Sequence, residues 1–493
     1  MIHSIKLTRF KQFKETEVRL QPFSILMGEN NSGKTTVLQA LWLALSGLHQ
    51  GKLIGIDRKT LQTKISSTGF PMYEIPFVPQ EDFSGLFYKR ILREGQTYDE
   101  NSGALLEIMD EKQNRYRLHL RELFRCLNFK LLTPAQEIQN PTVQNYAPLF
   151  ISGFSGLHFQ EERLYPAILE AKISSGDTSG IIRNIILDLK QNAPEKYHYM
   201  ETLLDNEFGF RIKDIRFEEN DERYVYSEYE EREKLDAVGL EFGSSGSGMM
   251  QILQMIAVIL RYCPEKTKVV LIDEPEMHLH ENLQIRFVEI LRNMQKELGI
   301  QMILSTHSSA VIRNAEPEEV IPMIPYASVN KPLRNMEEGI LDAYTVGKAK
   351  ITGKLIFMDR GLERVLQKKM KTVGTGSLAG VNMAPAMFGW RPGDQEPFES
   401  SDVLKQVTGR SIAIHLVFME DNFSEEEKTK MQCQAQEKNV TLTMISSQDG
   451  DENLQKVLEI LKTDEKLYKT EEEMQTEQPV RRREYEQMTL LDL

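Results

Sequence analysis

Cysteine is scarce in this 493-residue chain: Cys126, Cys263 and Cys433 lie far apart and form no CxxC pair. That spacing excludes a disulfide framework and a cysteine-ligated metal cluster, and it points to a reducing cytoplasm. Also missing is any apolar run near the roughly 18 residues that a membrane helix requires, and no charged-then-apolar leader follows Met1. A soluble, unprocessed protein with no membrane partner is therefore expected. Basic excess is lacking as well, with 60 Lys and Arg against 73 Asp and Glu, a net charge of -13. An acidic body of this kind excludes a chain coated in positive charge for nucleic acid and leaves open only a local basic groove. No internal repeat is present, and the length exceeds one ordinary compact core, so two or three domains are expected.

What is present begins with short alternating runs, then the apolar run Phe23 to Met27, a glycine-rich loop and a helical pattern from Thr35 to Leu48. Between 51 and 242 the pattern is mixed. A strand is predicted at Ala104 to Met109, a helix from Arg117, turn-rich sequence at Pro141 to Gly156, and helical periodicity from Glu161 to Leu204. A second α/β segment follows, with helix Met249 to Tyr262, strand Val269 to Ile272, helix Asn282 to Leu298 and strand Gln301 to Ser305. Beyond Pro325 the strands Lys354 to Met358, Ile412 to Phe418 and Val440 to Ile445 alternate with helices Leu362 to Lys371 and Ser424 to Lys438, the pattern of a separate α/β domain. From 463 to 493 the chain is dense in charge and poor in apolar residues, which predicts a flexible tail.

Chemistry concentrates in four places. Residues 28 to 36 read GENNSGKTT, which sets Gly28, Gly33, Lys34 and Thr35 in the spacing GxxxxGK[ST] between a predicted strand and a predicted helix. Glycines let backbone N–H groups, including those of Asn30, Asn31, Ser32 and Thr36, turn inward around phosphate oxygens at a helix N-terminus. Lys34 neutralises the β- and γ-phosphates of ATP, and Thr35 offers a hydroxyl to Mg2+. The strand at 269–272 ends in Asp273 and Glu274, two acids whose burial is costly unless a cation shares their site. Asp273 suits the metal shell, directly or through water, and Glu274 suits the general base that polarises an attacking water. The neighbouring strand ends in Thr306, His307 and Ser308, which can place the His307 imidazole near the γ-phosphate. Residues 243 to 251, GSSGSGMMQ, run straight into an amphipathic helix whose start offers a second anion site.

An opening IxxIKLTRFKQF, the loop GENNSGKTT, a serine-glycine signature, VVLIDEPEMHLH and STHS, in that order, resemble the ABC-type ATPases of the RecF, SMC and OLD group. The resemblance covers about residues 1 to 55 and 240 to 325, and the intervening lobe only by position. It implies an α/β fold with an ABC-type ATPase head over 1–325 and an inserted helical and β lobe at 51–242. It also implies a smaller Rossmann-like, degenerate TOPRIM-like domain at 340–462. In such proteins two heads sandwich ATP, so Ser245, Gly246 and Gly248 would act in trans as the signature, in a homodimer or larger homo-oligomer. The transporter string LSGGQ is absent, and the register admits Ser245 or Ser247. Lys11 in the opening hairpin is implied near the nucleotide or belongs to a solvated face. Gln80 and Gln160 are candidates for coupling the lobe. His278 and His280 match a common HLH, with Glu281 where proline is usual, and are expected to be structural. Only 239 positions separate Lys34 from Asp273, too few for a very long coiled coil, so a short arm or helical cap is expected.

OLD enzymes carry a TOPRIM nuclease domain after the ATPase, and Asp359, Glu363, Glu420 and Asp421 make a candidate second metal site. Arg360 and Asn422 depart from the TOPRIM pattern, which favours a Rossmann-like binding domain. Arg117, Arg121 and Arg125, on one face of the expected helix, and Lys368, Lys369 and Lys371 are candidate basic clusters for nucleic acid or ordinary solvated faces. Resemblance to stand-alone ATPases of anti-phage systems such as Septu and PARIS implies a sensor and assembly subunit with a separate effector encoded nearby. An OLD-like nuclease and a RecF-like DNA-repair ATPase are the alternatives.

Overall fold

The computed structural model describes residues 1–28, 30–49, 53–56, 63–65, 67–71, 83–90, 103–123, 126–138, 147–153, 160–174, 178–218, 223–231, 239–323, 343–359, 386–390, 397–400, 411–445 and 460. The chain opens with β1 (Ile2–Phe10), β2 (Phe13–Arg19), β3 (Phe23–Met27) and α1 (Lys34–His49). Next come the short strands β4 (Ile54–Ile56), β5 (Thr63–Ile65) and β6 (Ser67–Pro71), then β7 (Ala104–Asp110), β8 (Arg115–Leu123), β9 (Cys126–Leu131) and β10 (Leu149–Ile151). Three helices follow, α2 (Pro166–Ser174), α3 (Ile182–Asn192) and α4 (Pro194–Phe208), with the hairpin β11 (Phe210–Arg216) and β12 (Tyr226–Glu231). The chain continues through α5 (Ser247–Tyr262), β13 (Val269–Asp273), α6 (Glu281–Leu298), β14 (Gln301–Thr306), α7 (Ser309–Asn314) and β15 (Val320–Pro322), the elements that with β1–β3 and α1 make the first body, called the head below.

Continuous apolar runs make β3, β13 and β14 strands that are buried on both faces, as a parallel sheet covered by helices requires. The sheet order is β10-β13-β14-β3-β15, and every pairing in it is parallel. On one face Leu26, Leu271 and Ile303 pack on α1, which is buried almost all round because its far side meets the antiparallel sheet β2-β1-β7-β8-β9-β6. The opposite face packs Ile25, Ile272 and Leu304 against α5, α6, α3 and α4.

Two expectations change here. The helix predicted from Arg117 is strand β8: Tyr116, Leu118 and Leu120 are buried and alternate with outward Arg117 and a partly exposed Arg121, a period of two. Arg117 Nε lies 3.3 Å from Glu107 on the paired strand, so charge on that face is mixed rather than uniformly basic. Arg125 and the lysines 368, 369 and 371 lie outside the described residues. The span 51–242 also does not stand apart as one lobe. Strands β6 to β9 hydrogen-bond into the sheet of the opening hairpin, and β10 edges the core sheet; α2, α3, α4 and the β11–β12 hairpin form the helical and β part. Short apolar segments at 126–131 and 149–151 carry no mark of which distant strand they will join.

After the head, α8 (Ala343–Thr352) leads into β16 (Lys354–Asp359), β17 (Ala386–Trp390), β18 (Ala413–Met419), α9 (Glu425–Lys438) and β19 (Val440–Ile445). These strands form a parallel sheet in the order β17-β16-β18-β19 with its own core, including Phe357, Phe388 and Leu416. Helix α8 packs against both bodies: Val346 joins the head's core, Ala349 joins the second core, and the Lys350 ammonium donates to the carbonyls of Ile312, Arg313 and Ala315 at the end of α7. The helix predicted at 362–371 and the tail from 463 lie outside the described residues. No described helix is long and apolar enough to cross a membrane.

Candidate nucleotide site

Parallel register fixes the site. Asp273 stands opposite Ser305, and Thr306 opposite Met27, so the carboxyl ends of β13, β14 and β3 finish level with one another. Gly28, Glu274 and His307 each begin the loop that leaves one of those ends, at the sheet edge where nucleotides bind in such folds. Gly33 adopts φ 100°, and an added Cβ would lie 2.3 Å from the Phe13 ring and 2.8 Å from the Gln12 amide, so the opening hairpin closes over the loop and only glycine fits. Lys34 donates to the Gly28 carbonyl at 3.0 Å, bridging the base of the cradle. Asn30 and Asn31 are exposed on its rim, and Thr36 Oγ1 donates to Gln12 at 3.0 Å. The Ser32 hydroxyl is buried and has no hydrogen-bond partner among the described residues, the kind of polar atom that a bound phosphate satisfies.

Thr35 Oγ1 lies 3.1 Å from both carboxylate oxygens of Asp273. Ser305 Oγ donates a very short hydrogen bond to Asp273 and accepts the Glu274 N–H at 3.1 Å. This hard-oxygen pair fits Mg2+, which keeps several waters and takes phosphate oxygens as ligands rather than a full protein cage. The described residues hold no group of three or more His, Cys, Asp or Glu able to bind a metal.

Glu274 sits at φ 52°, an uncommon conformation for a residue with a side chain, at the start of the turn after β13. Its carboxylate is 3.1 Å from His307 Nε2, while His307 Nδ1 is 3.4 Å from the Lys34 ammonium. Burial, and then the Lys34 charge, hold the His307 imidazolium below the ordinary histidine range. A neutral ring accepting from Lys34 at Nδ1 and donating to Glu274 from Nε2 satisfies all three groups. Burial also pushes the Lys34 ammonium down, against the pull of Glu274, Asp273 and Glu276. Lys11 donates to Gln39 on α1 at 2.5 Å, and burial lowers its pKa to about 8.

The signature residues lie elsewhere in the chain's own fold. Ser245 closes a 3-10 turn capped by Glu241, Gly246 is the N-cap of α5 with nothing within 4 Å of an added Cβ, and Ser247 begins the helix. Their backbone hydrogen bonds are local: Ser245 N–H donates to the Phe242 carbonyl, and the Gly246 carbonyl accepts from Met249 and Met250. Gly248 lies where a Cβ would come 2.8 Å from the His278 carbonyl, so the signature packs on the turn that follows Glu274. His278 shapes that turn at φ 61°, and His280 is the N-cap of α6. Gln160 is exposed, and Gln80 lies outside the described residues.

Four residues of the site were not anticipated. Ser305 and Glu276 hold the carboxylate turn; Gln251, fully buried on α5, donates to the Pro275 carbonyl at 2.9 Å; and Gln12 covers the loop. The adjacency of Ser305 to His307 was the available signal for the first. In the C-terminal sheet Asp359 ends one strand and Glu420 follows the adjacent one; Asp359 accepts from Asn422 at 3.0 Å, and Glu420 lies 3.3 Å from Lys428. Only the backbone of Asp421 is described, and Glu363 lies outside the described residues.

Two family models match the chain, one described as "AAA ATPase domain" over residues 1–68 and one as "AAA domain, putative AbiEii toxin, Type IV TA system" over 161–313. They match the two ends of an AAA-type ATPase domain, and with the order of the motifs and the convergence of their residues they support an ABC-type ATPase like those of the RecF, SMC and OLD group. The chain is 24% identical over 351 residues to "Old nuclease" of Escherichia phage P2, a match covering 63% of this chain and 56% of that protein. A "Putative ABC transporter ATP-binding protein" of Methanosarcina acetivorans is 41% identical over 86 residues, 16% of this chain and 26% of its own length. Among solved structures, an SMC head bound to the C-terminal winged-helix domain of ScpA is similar at a TM-score of 0.39 and 14% identity, over 64% of this chain and 92% of that one. The chain thus spans little more than half the length of the nuclease and about a quarter of the transporter protein.

Proposed function

We propose that this chain binds and hydrolyses ATP between two copies of itself and serves as the sensor and assembly subunit of an anti-phage defence system whose effector is a separate protein. The observation that carries the ATPase reading is the meeting of Lys34, Thr35, Asp273, Glu274 and His307 at one sheet edge. Lys34 leaves the Gly28 carbonyl for the β- and γ-phosphates, and the loop's N–H groups take the remaining oxygens. Thr35 and Asp273 would hold Mg2+, which supplies charge neutralisation to the phosphates when bound. Glu274 accepts the proton of the attacking water, and the neutral His307 orients that carboxylate while its other nitrogen faces Lys34. In the dimer, Ser245, Gly246 and Gly248 reach the partner's nucleotide. The defence role is supported by the toxin-related family description and by the likeness to a phage nuclease.

Glu274→Gln tests the core of this reading. It should keep ATP affinity, slow turnover by at least about a hundredfold, and accumulate an ATP-bound dimer. Normal hydrolysis by that variant would place the base elsewhere. A second reading, an OLD-like nuclease in one chain, draws on Asp359 and Glu420 following adjacent parallel strands and on the nuclease relative. Metal-dependent plasmid nicking by the purified protein, abolished by Glu420→Ala with Asp421→Ala, would favour it over a separate effector.

A further inference from the structure

Glu276 stands two residues beyond the proposed base, is only 8% exposed, and makes no ion pair among the described residues. Its Oε1 accepts two hydrogen bonds from the neighbouring strand end, from Thr306 Oγ1 at 2.5 Å and from the His307 backbone N–H at 2.8 Å. Thr306 Oγ1 in turn accepts the Ser308 N–H at 3.0 Å. One carboxylate oxygen therefore ties three consecutive residues, 306 to 308, to the turn that carries Glu274. Its Oε2 is buried without a hydrogen-bond partner among the described residues. Burying a carboxyl in this way is costly, and an apolar side chain would pack the same space at lower cost. What an apolar side chain cannot do is accept both donors at once.

Those two donors belong to the segment that places the imidazole. His307 is set by its own backbone N–H, and its ring must bridge Lys34 and Glu274 at 3.4 and 3.1 Å. The carboxylate turn is held from α5 by Gln251 on the Pro275 carbonyl, and at its start by Ser305, which lies on the same strand end as Thr306 and accepts the Glu274 N–H. Glu276 is the side-chain link from that turn to the backbone of His307.

We infer that Glu276 is a positioning residue for ATP hydrolysis, fixing the imidazole of His307 against the carboxylate of Glu274 by accepting hydrogen bonds from Thr306 and His307. This rests on the proposed reading of Glu274 as the base, so Glu274→Gln is measured alongside. Glu276→Leu removes both acceptors; kcat should fall about tenfold to a hundredfold, the range for two buried donors left unpaired, with KM and ATP affinity within about twofold of the parent. Glu276→Gln keeps an acceptor oxygen in place and should retain kcat within about threefold. Thr306→Val should lower kcat by a smaller factor, and the Thr306→Val loss should shrink in the Glu276→Leu background, because the two residues act through one contact. Melting curves of every variant separate misfolding from slow turnover. If Glu276→Leu does not fold, Glu276→Gln and Thr306→Val decide.

A parent-like kcat in Glu276→Leu or in Thr306→Val, with Glu274→Gln stalled, overturns the positioning role and leaves the ATPase reading standing. A raised KM at unchanged kcat overturns it too, since that marks lost ground-state binding. So does equal impairment of the Leu and Gln variants, because acceptance by an oxygen would then not be what matters. If Glu274→Gln itself hydrolyses ATP normally, the base assignment fails first, and the inference falls with it.

Discussion

Ser305→Ala isolates the part of the site that shapes the metal ligand without touching a residue proposed to contact nucleotide. Ser305 is fully buried between β13 and β3, and its hydroxyl serves two groups at once, donating to the Asp273 carboxylate and accepting the Glu274 N–H. Alanine deletes the charge-assisted donor, worth about 1.5–3 kcal/mol, while the Glu274 N–H keeps the Ser305 carbonyl at 3.2 Å as an alternative. The variant should therefore unfold with a stability lower by about 1.5–3 kcal/mol in the absence of nucleotide. Among the described residues Asp273 would keep the Thr35 hydroxyl to aim it, and the Mg2+ concentration for half-maximal ATP binding should rise about tenfold to a hundredfold, the cost typical of losing such a supporting hydrogen bond. Thermal melts without metal and binding of a fluorescent ATP analogue across a Mg2+ titration measure the two effects separately. Lowered stability with an unchanged Mg2+ requirement would refute the assignment of Asp273 to the metal shell, and no change in either would mean that the short Ser305–Asp273 contact carries no energy.

Burial holds Lys11 to a pKa of about 8; if Lys11 meets the nucleotide, as the resemblance implies, the ammonium loses its proton as pH rises through that value and ATP affinity should fall about tenfold, while Lys11→Met should bind weakly and without that pH dependence, and a flat pH profile would assign Lys11 to its Gln39 contact alone. On stability the sign is reversed, because a depressed lysine costs the fold most below about 8 and the cost is relieved toward 10.5; denaturant midpoints at the two ends check it. Gly248→Val would drive a side chain into the His278 carbonyl and should stop hydrolysis without weakening ATP binding to an isolated head, as equilibrium binding can show. Ser245→Arg subunits mixed with Lys34→Ala subunits should regain up to about half the activity per dimer if the signature acts in trans, provided that differently tagged chains are shown to exchange. Arg183, clamped in the interior by Glu161 and Glu241, should cost about 3–5 kcal/mol when replaced by Met, and a second change, Glu161→Gln, should recover part of that loss in chemical denaturation.

Much of the candidate site is legible because its chemistry is local in sequence. Gly28 to Thr36 form one loop, Asp273 and Glu274 end one apolar run, and His307 ends another; parallel pairing of three buried strands then brings their ends together with no further information. Helices α1, α5 and α6 were read to within two residues for the same reason, since apolar periodicity and caps are local. What differed was one choice between two local periods and, beyond it, everything non-local. The alternation in RYRLHLREL was overridden by the recurrence of arginine every four residues, although Tyr116, Leu118 and Leu120 at a spacing of two are the stronger signal. Nothing within β6 or β9 states that they will extend the sheet of β1, some sixty to a hundred and thirty residues away along the chain. The acids of the C-terminal sheet were correctly placed at strand ends, but their partners, Asn422 and Lys428, were invisible until side chains were placed in space.

The contacts around Pro275 bear on how the two halves of an ABC-type site are joined within one chain. Gly248, in the signature, rests on the His278 carbonyl; Gln251, one turn further along α5, grips the Pro275 carbonyl; and Glu276, in the same turn, holds the backbone of His307. The surface proposed to meet the partner's nucleotide and the base proposed to act on the chain's own nucleotide are therefore anchored to the same five residues, 274 to 278. Two members of that segment, Glu274 and His278, have positive φ, so its shape is held by these contacts and not by local preference. A displacement of α5 by even a fraction of a hydrogen-bond length would act on the Pro275 carbonyl and, through Glu276, on the imidazole proposed to orient Glu274. Hydrolysis in one site and engagement of the other thus draw on a single strained turn, which gives the geometry a physical reason to couple them.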